Sequence, residues 1–237
     1  MSTLTKLAQR LQSSENIAPK RWRLPLRYYG QRLAGGLEPE MALLPGLVNS
    51  DGAALDIGAN HGVYAYPLSR LVTAVHCFEP LAECCQYIRD YRSTRITVHN
   101  VALSDLAGEF KLHVPVIGGR SVYTRASLDR PDGPFEVRRV AVRTLDSYGL
   151  TNVGFIKIDV EGVETAVLRG AEHTLSDSHP TLLVEIDRAR HTQDSFLAVH
   201  ATLQALGYRA YVCEAGDLVP CRDAWNESEH RVNFIFR

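Results

Sequence analysis

A glycine-containing turn and a handful of strand-end carboxylates carry most of the chemistry legible in this chain. In "LDIGANHGVYAY", Leu55 to Tyr66, an apolar run reaches Asp56 and is followed by Gly58, Asn60 and Gly62 at intervals of two. Glycine takes positive φ without strain and lets a ligand approach the backbone; asparagine tolerates the left-handed region better than most residues. Glu79 ends the next apolar run, "AVHCFE", about twenty residues on, where a carboxylate can accept both hydroxyls of a ribose. "IKIDVEGVE" brings Asp159, Glu161 and Glu164 together after Lys157, and Glu185 closes a further apolar run, "TLLVEID".

Asp56 discriminates between ligands. A dinucleotide would place its pyrophosphate near the turn, where this carboxylate would repel it. S-adenosylmethionine instead brings an ammonium and a sulfonium, which Asp56 attracts. A strand-end Asp that only caps its loop is the plainer alternative. Methyl transfer from such a ligand would require in-line alignment of the acceptor and a group to take its proton, and Asp159, then Glu161, then Glu185 are the candidates for that base. A second reading has Asp159 and Glu185 binding Mg²⁺, which would acidify a coordinated hydroxyl. Glu164 falls in a first helical turn, where free N–H groups favour a carboxylate, and reads as structural. His61 titrates near neutrality beside the glycines, yet a solvent-facing turn histidine is the plainer reading; His99, His113, His173 and His191 lie in patterns that need no function.

The elements that must hold these groups alternate. "AALDIG", "AVHCFE", "ITVHNVA", "GFIKID" and "TLLVEID" are candidate strands separated by helical periodicity, which implies an α/β fold with a mostly parallel sheet covered on both faces and ligands at the carboxyl ends of its strands. Asp56, Glu79 and Asp159 would then converge on one edge. "VETAVLRGAEHTL" reads as one helix with an apolar stripe from Val163 to Leu175, and Phe196, Val199, Leu203 and Leu206 mark another. "YRAYVC" and "VNFIFR" read as a terminal antiparallel pair, joined by a polar connection long enough to be a site loop. Between 108 and 148, "EFKLHV" and "EVRRVAVRTL" alternate as a half-exposed hairpin around a Gly/Ser/Pro-rich loop, either a flap over the ligand or a disordered surface loop. Residues 1–50 read as an extension of short helices broken by Pro19, Pro25, Gly30, Gly35, Gly36, Pro39 and Pro45, and residues 51–237 as the main domain. The cation and aromatic mixture "RWRLPLRYYGQR" reads as a solvated helix face, with an anion- or sugar-binding cap as the alternative.

With 237 residues, a formal net charge of −1 and signs mixed along the chain, there is no global field for a polynucleotide or an anionic membrane. No apolar run reaches the length of a membrane span, and the first thirty or so residues lack the core of a signal peptide, so the expectation is a cytoplasmic protein. Of five cysteines, Cys84 and Cys85 fall on one helix face with Leu81 and Ile88 and read as buried thiols; Cys213 and Cys221 have no ligand spacing.

In this order, "LDIGANHGVYAY", "CFEP", "VALSDLAG", "VRTLD", "FIKIDVEGVETAVLRGA" and "PTLLVEI" closely resemble the FkbM-type methyltransferases, a branch of the class I S-adenosylmethionine-dependent enzymes. The resemblance runs from about Leu55 to Ile186. His61, where an apolar residue is usual, and Pro67, which would kink or delay the helix, depart from it. It implies a Rossmann-like, seven-stranded sheet and O-methylation of a sugar, glycan, polyketide or other secondary metabolite. It also implies that Asp56, Gly58, Ala59, Asn60 and Gly62 line the methionine part of the cofactor, that Glu79 holds the ribose, and that Pro80 and the stretch from Asn100 to Ala102 border adenine. Three competitors stay open: a dinucleotide oxidoreductase, which Asp56 opposes; a nucleic-acid methyltransferase, for which neither a basic surface nor an Asn-Pro-Pro-aromatic motif is present; and a cofactor-binding module without turnover.

Overall fold

The computed structural model describes residues 17–121, 123, 133–188, 190–229 and 232–237. Its main sheet takes β1 (Ala53–Ile57), β2 (Ala74–Phe78), β3 (Ile96–His99), β8 (Val153–Ile158), β9 (Thr181–Glu185), β10 (Ala210–Glu214), β11 (Asp217–Pro220) and β12 (Asn233–Phe236). A smaller sheet takes β4 (Ala102–Leu103), β5 (Gly108–Ile117), β6 (Arg120–Ser121) and β7 (Phe135–Arg143). Strand order in the main sheet is β11-β10-β12-β9-β8-β1-β2-β3. From β3 to β9 all pairings are parallel, and β12 and β10 then join antiparallel.

The sheet therefore has eight strands where seven are expected. The additional one is β11, which pairs antiparallel with β10 at the sheet edge and comes from the polar connection that reads as a loop. A half-exposed edge strand buries little, so it carries no apolar signature. The inner strands behave as the alternation implies: Leu182, Leu183 and Val184 of β9 are all fully buried, because helices cover both faces. Phe196, Val199 and Leu203 pack on one face with Val167, Leu168 and Leu175; Leu44, Leu47, Ala65, Leu68 and Ile88 pack on the other.

Three local expectations change. Lys20–Ala34 is one helix that runs through Pro25 and Gly30, both buried, and ends at Gly35 in the left-handed conformation; packing on the body offsets the hydrogen bond that Pro25 cannot make. "VETAVLRGAEHTL" forms two short helices, Glu164–Arg169 and Glu172–Ser178. The break falls at Gly170, where a Cβ would stand 2.1 Å from the Ser104 carbonyl oxygen, so the helix must yield to the loop after β4. Pro67 is tolerated because the helix it enters, Ala65–Leu71, begins only two residues before it. The hairpin of β5 and β7 forms as expected; most of its tip, residues 122 and 124–132, lies outside the described residues, as does the N-terminal segment 1–16. Among the described residues, no helix is long and apolar enough to cross a membrane.

Gly58 is where the sheet and the turn lock. It has φ +77°, and a Cβ there would lie 1.7 Å from the Asp159 carbonyl oxygen and 2.8 Å from its carbonyl carbon. The Asp159 N–H donates to the Ile57 carbonyl at 3.0 Å, which holds the two strand ends together. Gly58→Ala is expected to lower unfolding free energy by more than the ~1–3 kcal/mol of ordinary overpacking, because backbone must move. Gly149→Ala, at φ +58° with open space around it, should cost only about 1–2 kcal/mol. Urea denaturation of both variants checks the contrast.

Candidate active site

The carboxyl ends of β2, β1 and β8 lie side by side in the sheet, and the cleft follows them in that order. On the β2 side it is apolar, lined by Leu81, Leu103, Phe110, Leu112 and Val142, so the hairpin supplies one wall. Pro80 and Ala102 line the same end. Gly58, Asn60 and Glu79 follow, and Asp159 and Glu161 line the β8 end. The empty space, including the part open to solvent, is about 810 Å³.

Glu79 is held by the turn it faces. Its Oε2 accepts from the Asn60 N–H and its Oε1 from the Leu81 N–H, each at 2.8 Å. Burial pushes its carboxyl up to about 7, against the pull of those two donors. Each oxygen keeps a lone pair for a further donor. Asn60 takes φ +47°, as the turn requires, and its Oδ1 is in short contact with His61 Nδ1.

The remaining residues expected at the site divide. Asn100 is exposed and does not line the cleft; its Nδ2 donates to the Glu79 and Pro80 carbonyls at 3.1 and 2.8 Å and so shapes the wall from behind. Ala59 is buried, and Gly62, at φ +76°, faces Ile88 of the neighbouring helix, where a Cβ would meet Cγ1 at 2.9 Å. Asp56 lies beneath the turn, 1 % exposed, in register with Lys157 on β8. Neither of its oxygens closes a full hydrogen bond within the described residues, although Lys157 and the Ala65 N–H both lower its pKa; burial wins and pushes it up to about 6. Lys157, 3 % exposed, binds Asp159 Oδ2 at 2.6 Å. Glu161 has φ +58° and pairs with Arg190 Nε at 2.5 Å, while burial lifts its carboxyl to about 7. Glu185 stands at the end of β9, with burial first and the nearby Asp159 second lifting it to about 8. Glu164 is buried, accepts from the Gly162 N–H at 2.9 Å and lies 2.9 Å from His191 Nε2, a structural placement.

Sequence reasoning left Lys157 without a role and missed Glu38, Tyr64 and Asn233, which complete the polar cluster next to Asp159. For Lys157 a signal existed: a cation at an inward position of an apolar strand, two residues before an acid. Among the described residues, no group of three or more His, Cys, Asp or Glu side chains is arranged to hold a metal ion; at Asp159 the Lys157 ammonium supplies the positive charge.

Residues 56–210 match the methyltransferase FkbM domain, more than half of the chain. The chain belongs to the FkbM methyltransferase family. Among solved structures, a methyltransferase FkbM from Methylobacillus flagellatus KT superposes with a TM-score of 0.52 at 19% identity, over 99% of this chain and 58% of that one. This chain therefore spans little more than half the length of that relative. A TehB-like SAM-dependent methyltransferase from Corynebacterium glutamicum gives 0.45 at 14% identity, over 91% of this chain and 95% of that one. SMU.1697c from Streptococcus mutans, in complex with SAH, gives 0.49 at 10% identity, over 84% and 96%. No curated protein matches at a significant level. The fold is the Rossmann-like class I methyltransferase fold, with one extra edge strand.

Two outcomes follow. Calorimetric titration should show S-adenosylmethionine and S-adenosylhomocysteine binding and no NAD binding, and Glu79→Ala should weaken the first two at least about tenfold, the loss of a charge-assisted hydrogen-bond pair. The raised carboxyls also give stability a direction. Between the ordinary carboxylate value of 4.5 and about 8, the folded form of these acids holds protons that the unfolded chain has lost. The stability they contribute is full below that window and is lost as pH rises through it. Lys157 is raised above 10.5 and keeps its contribution throughout. Melting temperature should fall from pH 5 to pH 8.5, and Glu185→Gln should flatten the upper part of the curve.

Proposed function

We propose that the protein transfers the methyl group of S-adenosylmethionine to a hydroxyl of a small molecule such as a sugar, glycan or secondary metabolite, with a carboxylate as base. The carrying observation is the polarity gradient along the cleft: apolar at the hairpin, one buried carboxylate, Glu79, in the middle, and two, Asp159 and Glu161, at the β8 end. These residues suit an adenine, a ribose diol and a pair of cations, in that order. When bound, the cofactor supplies an electrophilic methyl on a sulfonium. Leu81, Leu103, Leu112 and Val142 would cover the base and exclude water, Glu79 would accept from the ribose hydroxyls, and Asp56 and Asp159 would balance the positive charges.

Three carboxylates are available for the proton of the acceptor hydroxyl, and their partners rank them. Asp159 is committed to Lys157 and Glu161 to Arg190. Glu185 has no ion pair or hydrogen bond among the described residues, and a carboxyl titrating at about 8 is well matched to general-base work near neutrality. We therefore place Glu185 first as base, ahead of Glu161, with Asp159 orienting the acceptor through its fixed oxygen.

The test is transfer of labelled methyl from S-adenosylmethionine to a panel of sugars, polyols, phenols and amines. Hydroxyl acceptors should be methylated, with kcat/KM rising through about pH 8 and levelling above it. Glu185→Gln should lower kcat by roughly 10²–10⁴ and remove that limb. Methylation of amines alone would refute oxygen as the target, and an unchanged rate in Glu185→Gln would return the role of base to Asp159 or Glu161.

A further inference from the structure

Part of the polar cluster next to Asp159 comes from a residue far upstream. Glu38 stands before the short 3₁₀ turn Pro39–Ala42, at its N-cap position, yet its carboxylate does not cap the turn. Its Oε2 accepts instead from the Tyr64 hydroxyl at 2.5 Å and from Asn233 Nδ2 at 3.0 Å. The same Nδ2 reaches Glu40 Oε2 at 3.3 Å. The Tyr64 ring lies 4.9 Å from the Lys157 ammonium, which in turn holds Asp159. Asn233 is the direct partner of Glu185 across β12 and β9. One carboxylate thus ties the helix after the cofactor turn, β8 and the β9/β12 pair into a single network.

Asn233 adds an independent observation. With its Nδ2 engaged by two carboxylates, the amide cannot flip without losing both. Its Oδ1 is left buried and without a hydrogen-bond partner among the described residues, on a side chain only 5 % exposed. A buried amide oxygen left unpaired is costly. Held next to Glu185, it is ready to accept from a protonated carboxyl or a hydroxyl placed there.

We propose that Glu38 is a positioning residue for the methyl-acceptor side of the site: through Tyr64 it braces the Lys157–Asp159 pair, and through Asn233 it anchors the strand that faces Glu185. Asp159 lines the cleft, and Glu38 does not. The charged groups facing Glu185 are Lys157 from β8, Asp159 and Glu161 from the segment just after it, and Glu38 from the N-terminal segment. Of these only Lys157 lowers its pKa; the three carboxylates hold it up. Asn233, opposite, is uncharged.

The functional meaning rests on Glu185 as base, but the readout needs no turnover, so the two ideas can fail separately. Carboxyl resonances of ¹³Cδ-glutamate-labelled protein are followed against pH, with Glu185→Gln assigning the signal that titrates near 8. Glu38→Gln, which keeps an acceptor oxygen for Tyr64 and Asn233, should move that midpoint down by about half a unit or more. S-adenosylhomocysteine affinity by calorimetry should fall far less than in Glu79→Ala, because Glu38 does not itself line the cleft. A merely structural role would leave the midpoint in place. Should Glu38→Gln fail to fold, Tyr64→Phe carries the test, because loosening Glu38 must disturb the same midpoint. A midpoint indifferent to both variants, or cofactor affinity lost in parallel with Glu79→Ala, overturns the inference and leaves the base reading intact. Absence of any signal near pH 8 that vanishes in Glu185→Gln overturns both.

Discussion

A buried ammonium cannot stand alone. Lys157 points into the layer beneath the cofactor turn, where an unpaired charge would be too expensive to keep. Asp56 answers it from the adjacent strand, Asp159 from two residues along its own, and the Tyr64 ring from below. The acids outnumber the cation. Burial above all, with the neighbouring carboxylates adding to it, lifts Asp56 and Glu185 toward neutrality. Close packing at Gly58 then fixes the distance between that charged layer and the turn above it.

Catalytic power in such a site comes from fixed placement rather than from any single strong group. Asp159 lines the cleft and belongs to the Lys157 cluster at once, so under the proposed function its oxygen would be a common reference point for both reactants. Glu161 stands in the left-handed region with Gly162 after it, at φ +58° and +106°. A glutamate in that conformation is strained, and strain of this kind persists where the surroundings over-determine it, here through Arg190.

Much of this was open to reading in the chain itself. Strands β1, β2, β8 and β9 announce themselves because burial on both faces demands continuous apolar runs, and Glu79 and Asp159 are visible because an acid at the end of such a run has one exposed direction left. β11 is invisible for the converse reason: "DLVP" buries too little to differ from a loop. The helix Lys20–Ala34 defeats the punctuation of Pro25 and Gly30 because packing outweighs local propensity there. Glu38 has no local signal at all, since its role is defined by Tyr64 and Asn233.

The hydrogen bond between Asn233 and Glu38 spans 195 positions of chain. At about 5–20 residues per second, a ribosome would need roughly 10–40 s to make the intervening length. The glycine turn, Glu79 and Asp159 all emerge earlier, so this part of the cleft can assemble while the sheet is still missing its last strand. β12 must then slot between β9 and β10 to finish the sheet. Under the proposed function, the nascent molecule would pass through a state that can grip the cofactor before it can receive the acceptor.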